Sequence, residues 1–284
     1  MRIRLLILFV LLMLWGSALA HASAGPPYYL ALGDSLAQGV QPLGLNGQDI
    51  ETNQGYVDDL YTLLHSGTPN LILAKLGCPG ETTTTMIQGG SICYPVGSSQ
   101  LAAAVSFLQT HQVALVTLDI GANDIDRCVS LSGIDWGCVT TALSTVRSDL
   151  SQIVFALRIA AGPNTRIVAM NYYDPVLAAW LLGPSGQLLA DESLLALKFF
   201  NGVLETVYQA FDIPVADVAQ AFHIYDFTQV PTINLPLNVF LTLTWTWMGA
   251  APPLGPDIHA NAAGYAVIAV AFANKIAMLS LSKD

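Results

Sequence analysis

This acidic chain of 284 residues is 53% hydrophobic and only 11% charged, with a formal net charge of -10 at pH 7. The negative charge argues against partners that are themselves polyanionic, namely nucleic acid and anionic membrane surfaces. The hydrophobic content is enough for a large core, and no linker, repeat or low-complexity segment divides the chain. We therefore predict a single domain over residues 25–284.

The first twenty residues have the pattern of a secretory signal peptide. Arg2 and Arg4 precede an uncharged apolar run over residues 5–15, and Ala18-Leu19-Ala20 forms a small-x-small cleavage site. The run is shorter than the roughly 20 residues that span a bilayer, although a retained anchor is the alternative. We expect removal of residues 1–20, or cleavage as late as residue 24. The mature protein is then secreted, extracellular and without a stable membrane anchor.

Aliphatic runs alternate along the chain with longer helical patterns, as in a parallel sheet covered on both faces. The predicted strands are 28–32, 71–75, 114–119, 166–171 and 214–218. The predicted helices are 56–65, 100–111, 138–161, 186–211 and 261–281. We expect a compact α/β sandwich with about five strands.

A candidate nucleophile follows the first predicted strand, in the segment Gly33-Asp34-Ser35-Leu36. A strand that ends in a tight turn before a helix exposes the next side chain at the carboxyl edge of the sheet, where open α/β folds bind ligands. The backbone N–H of Ser35 then lies near a helix N-terminus, which favours negative charge. Ser35 is therefore a candidate nucleophile and oxyanion donor, although this segment alone also fits an ordinary turn.

The next two loops carry candidate oxyanion donors. The loop after the second strand contains Gly80, whose backbone N–H has no side chain in the way, and the loop after the third strand contains Asn123. Each residue, taken alone, is also common in plain turns.

Four cysteines in an exported chain predict two disulfides. Local pairing as Cys78–Cys93 and Cys128–Cys138 would close two short loops. A zinc site is the alternative, but the chain has neither a Cys-x-x-Cys segment nor a paired-histidine spacing, so we expect no metal.

Among the five histidines, His259 is the best candidate for a general base. It directly precedes the last predicted helix, and Asp257 lies two residues before it. A serine nucleophile needs such a base, oriented by a third group.

Taken together, the Gly-Asp-Ser-Leu, Pro-Gly-Glu-Thr, Gly-Ala-Asn-Asp and Asp-Ile-His blocks occur in this order across essentially the whole mature chain. This pattern resembles the SGNH family, also called the GDSL hydrolases. The resemblance implies a flavodoxin-like three-layer α/β/α sandwich with a central parallel sheet, and hydrolysis of carboxylic esters through an acyl-enzyme. Ser35 would be the nucleophile and His259 the base. The Ser35 amide, the Gly80 amide and the Asn123 side chain would form the oxyanion hole.

The last block departs from the family pattern, which places its aspartate three residues before the histidine. Pro256 occupies that position here. Either Asp257 still reaches the imidazole Nδ1–H, or a backbone carbonyl such as that of Pro256 orients the ring and the enzyme works as a dyad. We favour Asp257.

The resemblance implies a small-molecule or lipid ester substrate, no cofactor and, we expect, a monomer. The stretch from Phe240 to Met248, with Trp245 and Trp247, either lines an apolar acyl site or forms a packed strand. A secreted esterase or lipase is the preferred function. A carbohydrate acetylesterase and a non-catalytic lipid- or glycan-binding protein are the alternatives.

Overall fold

Nine strands form one main sheet and two small hairpins in the computed structural model, which describes residues 25–281. The predicted signal peptide lies outside these residues. In chain order the strands are β1 (Tyr28–Gly33), β2 (Ile72–Lys75), β3 (Val113–Asp119), β4 (Val129–Ser130), β5 (Gly133–Ile134), β6 (Arg166–Met170), β7 (Val215–Ala216), β8 (Gln229–Val230) and β9 (Leu235–Pro236). The main sheet has the order β2-β1-β3-β6-β7 and all its strands are parallel. This is the flavodoxin-like order, in which the chain reverses direction across the sheet between β1 and β3.

Within residues 25–281, ten α-helices surround this sheet. In chain order they are α1 (Ser35–Gln38), α2 (Tyr56–Gly67), α3 (Thr83–Gln88), α4 (Gln100–Thr110), α5 (Ala122–Asp126), α6 (Trp136–Ala161), α7 (Pro184–Ala210), α8 (Val218–Ala221), α9 (Leu237–Trp245) and α10 (Ala262–Leu281). Three 3-10 segments cover Leu45–Gly47, Pro175–Leu182 and Trp247–Gly249. Helices α2 and α10 pack together, with Tyr56 stacked on Phe272 at a centroid distance of 5.0 Å, whereas α4, α6 and α7 form another packed group. The predicted α/β sandwich with a parallel sheet of five strands is confirmed.

The core is built on the inner strands. In β1, residues 29–32 are fully buried, and β3 and β6 are almost as completely buried, as expected for parallel strands covered on both faces. The fifth strand is shorter than the predicted 214–218, because the Asp217 side chain accepts the Gln220 N–H and caps α8. Val218 is therefore the first residue of a helix.

Among the described residues, only α10 contains a stretch, Ala262–Leu279, that is long and apolar enough to cross a membrane. This is weak evidence for a membrane span, because the core helices of soluble proteins meet the same criterion. Tyr265, Ile268 and Phe272 of α10 are fully buried against the rest of the protein.

The end of β1 has no room for a side chain at Gly33. Its φ is +142°, and a Cβ atom there would lie 2.1 Å from the backbone oxygen of Asp119. We expect Gly33→Ala to lower the free energy of unfolding by about 2–4 kcal/mol, because both the backbone conformation and the space require glycine. Urea denaturation would measure it. Gly67→Ala, where a Cβ meets nothing within 4 Å, is the control, and an equal effect of both substitutions would contradict the prediction.

Candidate active site

Ser35 lies where the sequence predicts it, just after β1 and at the start of α1. The Asp34 side chain caps α1 by accepting the Leu36 N–H at 2.9 Å, and the Asp34 N–H donates to Asp119 Oδ2 at 3.3 Å. Ser35 is the first residue of α1 and is 9% exposed. Because β1 pairs with β3, the start of α1 lies at the carboxyl edge of the sheet beside α5, the short helix after β3 that carries Asn123.

Ser35, Asn123 and His259 line one cleft, whose empty space, including the part open to solvent, is about 730 Å³. Its walls are mainly apolar and come from α1, α5, the segment 172–176 and α7. The apolar wall residues include Leu36, Ile125, Tyr173, Val176, Leu197 and Phe200. The nucleophile and base candidates therefore meet in a pocket that can hold an apolar group of a ligand.

The Asp257 carboxylate contacts the His259 ring although it lies only two residues before it. Asp257 Oδ1 is 2.8 Å from His259 Nδ1, and the same oxygen accepts the backbone N–H of His259 at 2.9 Å. The Tyr173 hydroxyl donates to the backbone oxygen of Ile258 at 2.9 Å and so holds this loop against the cleft. With Nδ1 directed at Asp257, Nε2 is the ring nitrogen left for proton transfer.

The surroundings of His259 favour its charged form. Burial alone would lower the pKa of His259, but the hydrogen bond and charge of Asp257, with smaller contributions from Asp49 and Asp34, outweigh it and raise that pKa above the ordinary 6.5. Asp49 Oδ1 is 3.9 Å from Nδ1 on a side chain that is nearly half exposed. A raised pKa makes the imidazole a stronger base at neutral pH.

Asp49, Asp257 and His259 are also close enough to hold a metal ion. Their chemistry fits a different role, because His259 Nδ1 already pairs with Asp257 and exposed acidic groups commonly bind no metal. We assign no metal to this group.

Two of the oxyanion candidates, Gly80 and Asn123, are linked through the backbone of Glu81. The Asn123 Nδ2 donates to the backbone oxygen of Glu81 at 2.9 Å, which uses one of its two N–H groups. Gly80 precedes Glu81 with φ at +77° and is exposed. Gly80 belongs to the loop beside the cleft, whereas Ser35 and Asn123 line the cleft itself.

Gln100 is a supporting residue that the sequence analysis missed. Fully buried at the start of α4, it accepts the Gly33 N–H at 2.7 Å and donates to the Gly33 oxygen at 2.8 Å. Its Nε2 also donates to Glu81 Oε2 at 3.1 Å. This one side chain therefore joins the serine turn to the Gly80 loop. A polar residue at a helix start carries no sequence signal for such a role.

Both disulfides expected from the sequence are present, and both lie next to the cleft loops. Cys78–Cys93 closes the loop that carries Gly80, and the Cys78 N–H donates to the Gly33 oxygen at 3.0 Å. Cys128–Cys138 joins the end of the α5 region to α6. The two bridges restrain the segments that flank the candidate site.

The prediction for the stretch from Phe240 to Met248 is wrong in both of its forms. Residues 237–245 form helix α9, and neither Trp245 nor Trp247 lines the cleft. Trp245 instead packs edge-on against Phe222, with a centroid distance of 5.3 Å. Alternating apolar residues in a short run do not distinguish a strand from a partly buried helix.

Known proteins share this fold. A sequence comparison with curated proteins found no match. The chain is similar in structure to phospholipase A1 from Streptomyces albidoflavus NA297 (19% identity, 88% of this chain and 100% of that one, TM-score 0.58). It is also similar to an extracellular lipase from Streptomyces rimosus (17% identity, 88% of this chain and 99% of that one, TM-score 0.59). A third similar structure is Est24, a carbohydrate acetylesterase from Sinorhizobium meliloti (14% identity, 89% of this chain and 99% of that one, TM-score 0.53).

These likenesses concern the fold, since all three identities are low. The sequence model of the GDSL-like lipase/acylhydrolase family matches residues 31–267, a span that begins before Ser35 and ends beyond His259. The chain therefore belongs to the GDSL-like lipase/acylhydrolase family.

Proposed function

We propose that this protein is a secreted serine esterase or lipase that hydrolyses carboxylic esters through an acyl-enzyme on Ser35. One observation carries the proposal. Ser35 and His259 line the same cleft. The Asp257 carboxylate lies 2.8 Å from His259 Nδ1, which leaves Nε2 for proton transfer. Nucleophile, base and orienting group are the three parts that a serine hydrolase requires.

The reaction follows from these positions. The Ser35 Oγ attacks the ester carbonyl carbon while His259 Nε2 takes its proton, and the Asp257 carboxylate stabilises the imidazolium. The amides of Ser35 and Gly80 and the side chain of Asn123 donate to the oxyanion. The tetrahedral intermediate expels the alcohol, which receives the proton from His259. Water, deprotonated by His259, then attacks the acyl carbon. His259 returns that proton to Ser35 Oγ as the bond to the serine breaks and the carboxylic acid leaves.

The lining of the cleft supports an ester with an apolar group. Leu36, Ile125, Val176, Leu197 and Phe200 surround the space beside Ser35 and offer little to the many hydroxyls of a sugar. This favours an esterase or lipase over a carbohydrate acetylesterase. A non-catalytic binding protein would have no need for the pairing of Asp257 with His259.

Covalent labelling tests the mechanism. We expect an alkyl fluorophosphonate to inactivate the enzyme and to modify Ser35, as located by peptide mass spectrometry. Turnover of p-nitrophenyl acetate, butyrate and palmitate, compared with acetylated sugars, would define the ester class. If the folded protein reacts with neither the inhibitor nor any of these esters, a lipid- or glycan-binding protein takes the place of the enzyme.

Asn123→Ala is expected to reduce kcat by about 10²–10³ with a smaller change in KM, because the lost donor acts on the oxyanion in the transition state. Steady-state kinetics on p-nitrophenyl butyrate would measure both constants. Asn164→Ala, at an exposed position between α6 and β6, is the matched control. A rise in KM at unchanged kcat would instead mean that Asn123 only holds the Glu81 backbone.

Export is the second part of the proposal. The predicted signal peptide over residues 1–20 supports it, and two disulfides in residues 25–281 fit an extracellular protein. Sequencing the N-terminus of the mature protein should find cleavage after residue 20 or as late as after residue 24. We further propose that residues 25–284 are one domain and act as a monomer, which light scattering would test.

A further inference from the structure

One acidic side chain in the cleft has no role in the proposed hydrolysis. Asp126 is the last residue of α5, three residues after Asn123, and lines the same cleft as Ser35 and His259. The residue keeps part of its surface accessible to solvent. Its carboxylate makes no hydrogen bond or ion pair with any residue between 25 and 281.

The other charged groups around the cleft leave Asp126 uncompensated. Asp174 is buried and accepts hydrogen bonds from the Ser193 hydroxyl at 2.8 Å and the Val176 N–H at 2.9 Å, while Asp34 caps α1. Among the residues that line the cleft, none is lysine or arginine, and His259 pairs with Asp257. The cleft thus has an excess of negative charge, which attracts cationic ligands.

The surrounding protein disfavours a negative charge on the Asp126 carboxylate. Loss of hydration among the cleft walls disfavours the ionised form of Asp126, and the negative charges of Asp34 and Asp174 add to the effect. Together they raise the pKa of Asp126 to about 7, while His259 acts in the opposite direction. A neutral apolar substrate would displace the water from this carboxylate without providing a hydrogen bond or an opposite charge. A cationic group would compensate it.

The neighbouring walls also suit a particular kind of cation. Tyr172, Tyr173 and Phe200 line the cleft together with Asp126. Aromatic side chains attract ammonium groups, and proteins use aromatic pockets to recognise quaternary ammonium ligands. An alkylated ammonium also presents methyl groups to the aliphatic walls, which a hydroxyl group cannot do.

We propose that Asp126 makes this enzyme selective for esters that carry an alkylated ammonium group, such as a trimethylammonium, over neutral esters of the same shape. The inference rests on the proposed ester hydrolysis and extends it to a substrate class. The cation is expected in the cleft beside α5, on either the alcohol or the acyl side of the ester.

Isosteric ester pairs test the selectivity. Butyrylcholine and 3,3-dimethylbutyl butyrate differ only in a nitrogen cation in the alcohol. The p-nitrophenyl esters of 4-(trimethylammonio)butanoate and 5,5-dimethylhexanoate differ in the same way in the acyl group. At about pH 8.5, where Asp126 is ionised, we expect kcat/KM to favour the cationic member of at least one pair by about tenfold or more. Asp126→Asn should bring that ratio close to one.

Asp191→Asn is the matched control, because Asp191 lies on the exposed face of α7 and does not line the cleft. It should leave the ratio as in the wild type. Equal rates within both pairs in the wild type, or a ratio that survives in Asp126→Asn, would overturn the inference. So would a dependence on Asp126 that is limited to 2-hydroxyethyl butyrate, since the carboxylate would then recognise a hydroxyl.

Binding separates this inference from the proposed function. Calorimetry with choline on wild type and Asp126→Asn needs no turnover. Weaker choline binding by Asp126→Asn supports the cation site even if no ester is hydrolysed, in which case only the proposed enzyme activity fails. Equal binding, or none, by both proteins counts against the cation site whether or not neutral esters are hydrolysed.

Discussion

Ser35→Ala is expected to lower kcat for p-nitrophenyl butyrate by at least about 10⁴-fold, because no acyl-enzyme can form without the hydroxyl. The residual rate would come from the oxyanion donors and from binding alone. The substitution removes one oxygen from a side chain that is 9% exposed, so the thermal midpoint should change little. Steady-state kinetics together with thermal unfolding would check both expectations.

Ser193→Ala is the matched control for this experiment. Ser193 lines the same cleft, but its hydroxyl donates to Asp174 Oδ2 at 2.8 Å, with the Ala190 oxygen as the alternative acceptor at 2.9 Å. We expect its loss to act mainly on stability, because buried Asp174 loses a hydrogen bond. Should Ser35→Ala keep activity near that of the wild type, Ser35 is not the nucleophile.

Asp257→Asn has the second largest expected effect, a decrease in kcat of about 10²–10⁴. An amide at this position carries no charge to stabilise the imidazolium and can hold the ring in the wrong tautomer. The substitution should also change the pH profile. The reaction needs neutral His259, so kcat/KM falls as the pH drops through the pKa of His259, which lies above 6.5 in the wild type. Without the Asp257 charge this pKa decreases, and the acid limb moves to lower pH.

Asp49→Asn separates the effect of charge from that of orientation. Asp49 lies 3.9 Å from His259 Nδ1 and raises the pKa of His259 less than Asp257 does. We expect a small shift of the acid limb to lower pH and little loss of kcat. If Asp257→Asn gives an equally small loss and no shift, a backbone carbonyl orients the ring and the enzyme works as a dyad.

Much of the fold could be predicted because its signals are local. The five long predicted helices correspond to α2, α4, α6, α7 and α10, with boundaries that differ by at most two residues. The prediction was poorest where a cap or a neighbouring element decided the conformation. Asp217 ends the fifth strand early, and the apolar run at residues 237–245 is a helix because it packs against other elements.

The sequence by itself determined the fold class, the family, and the placement of Ser35 and Asn123 just after strands and of His259 just before the last helix. Turn residues and apolar periodicity give these signals because they act over a few neighbouring positions. The tertiary structure alone decided that Asp257 reaches the imidazole, that Gln100 joins the serine turn to the Gly80 loop, and that α5 brings Asp126 into the cleft. These contacts depend on the path of each loop and on how separate helices dock on the sheet, and no short segment of sequence encodes those distances.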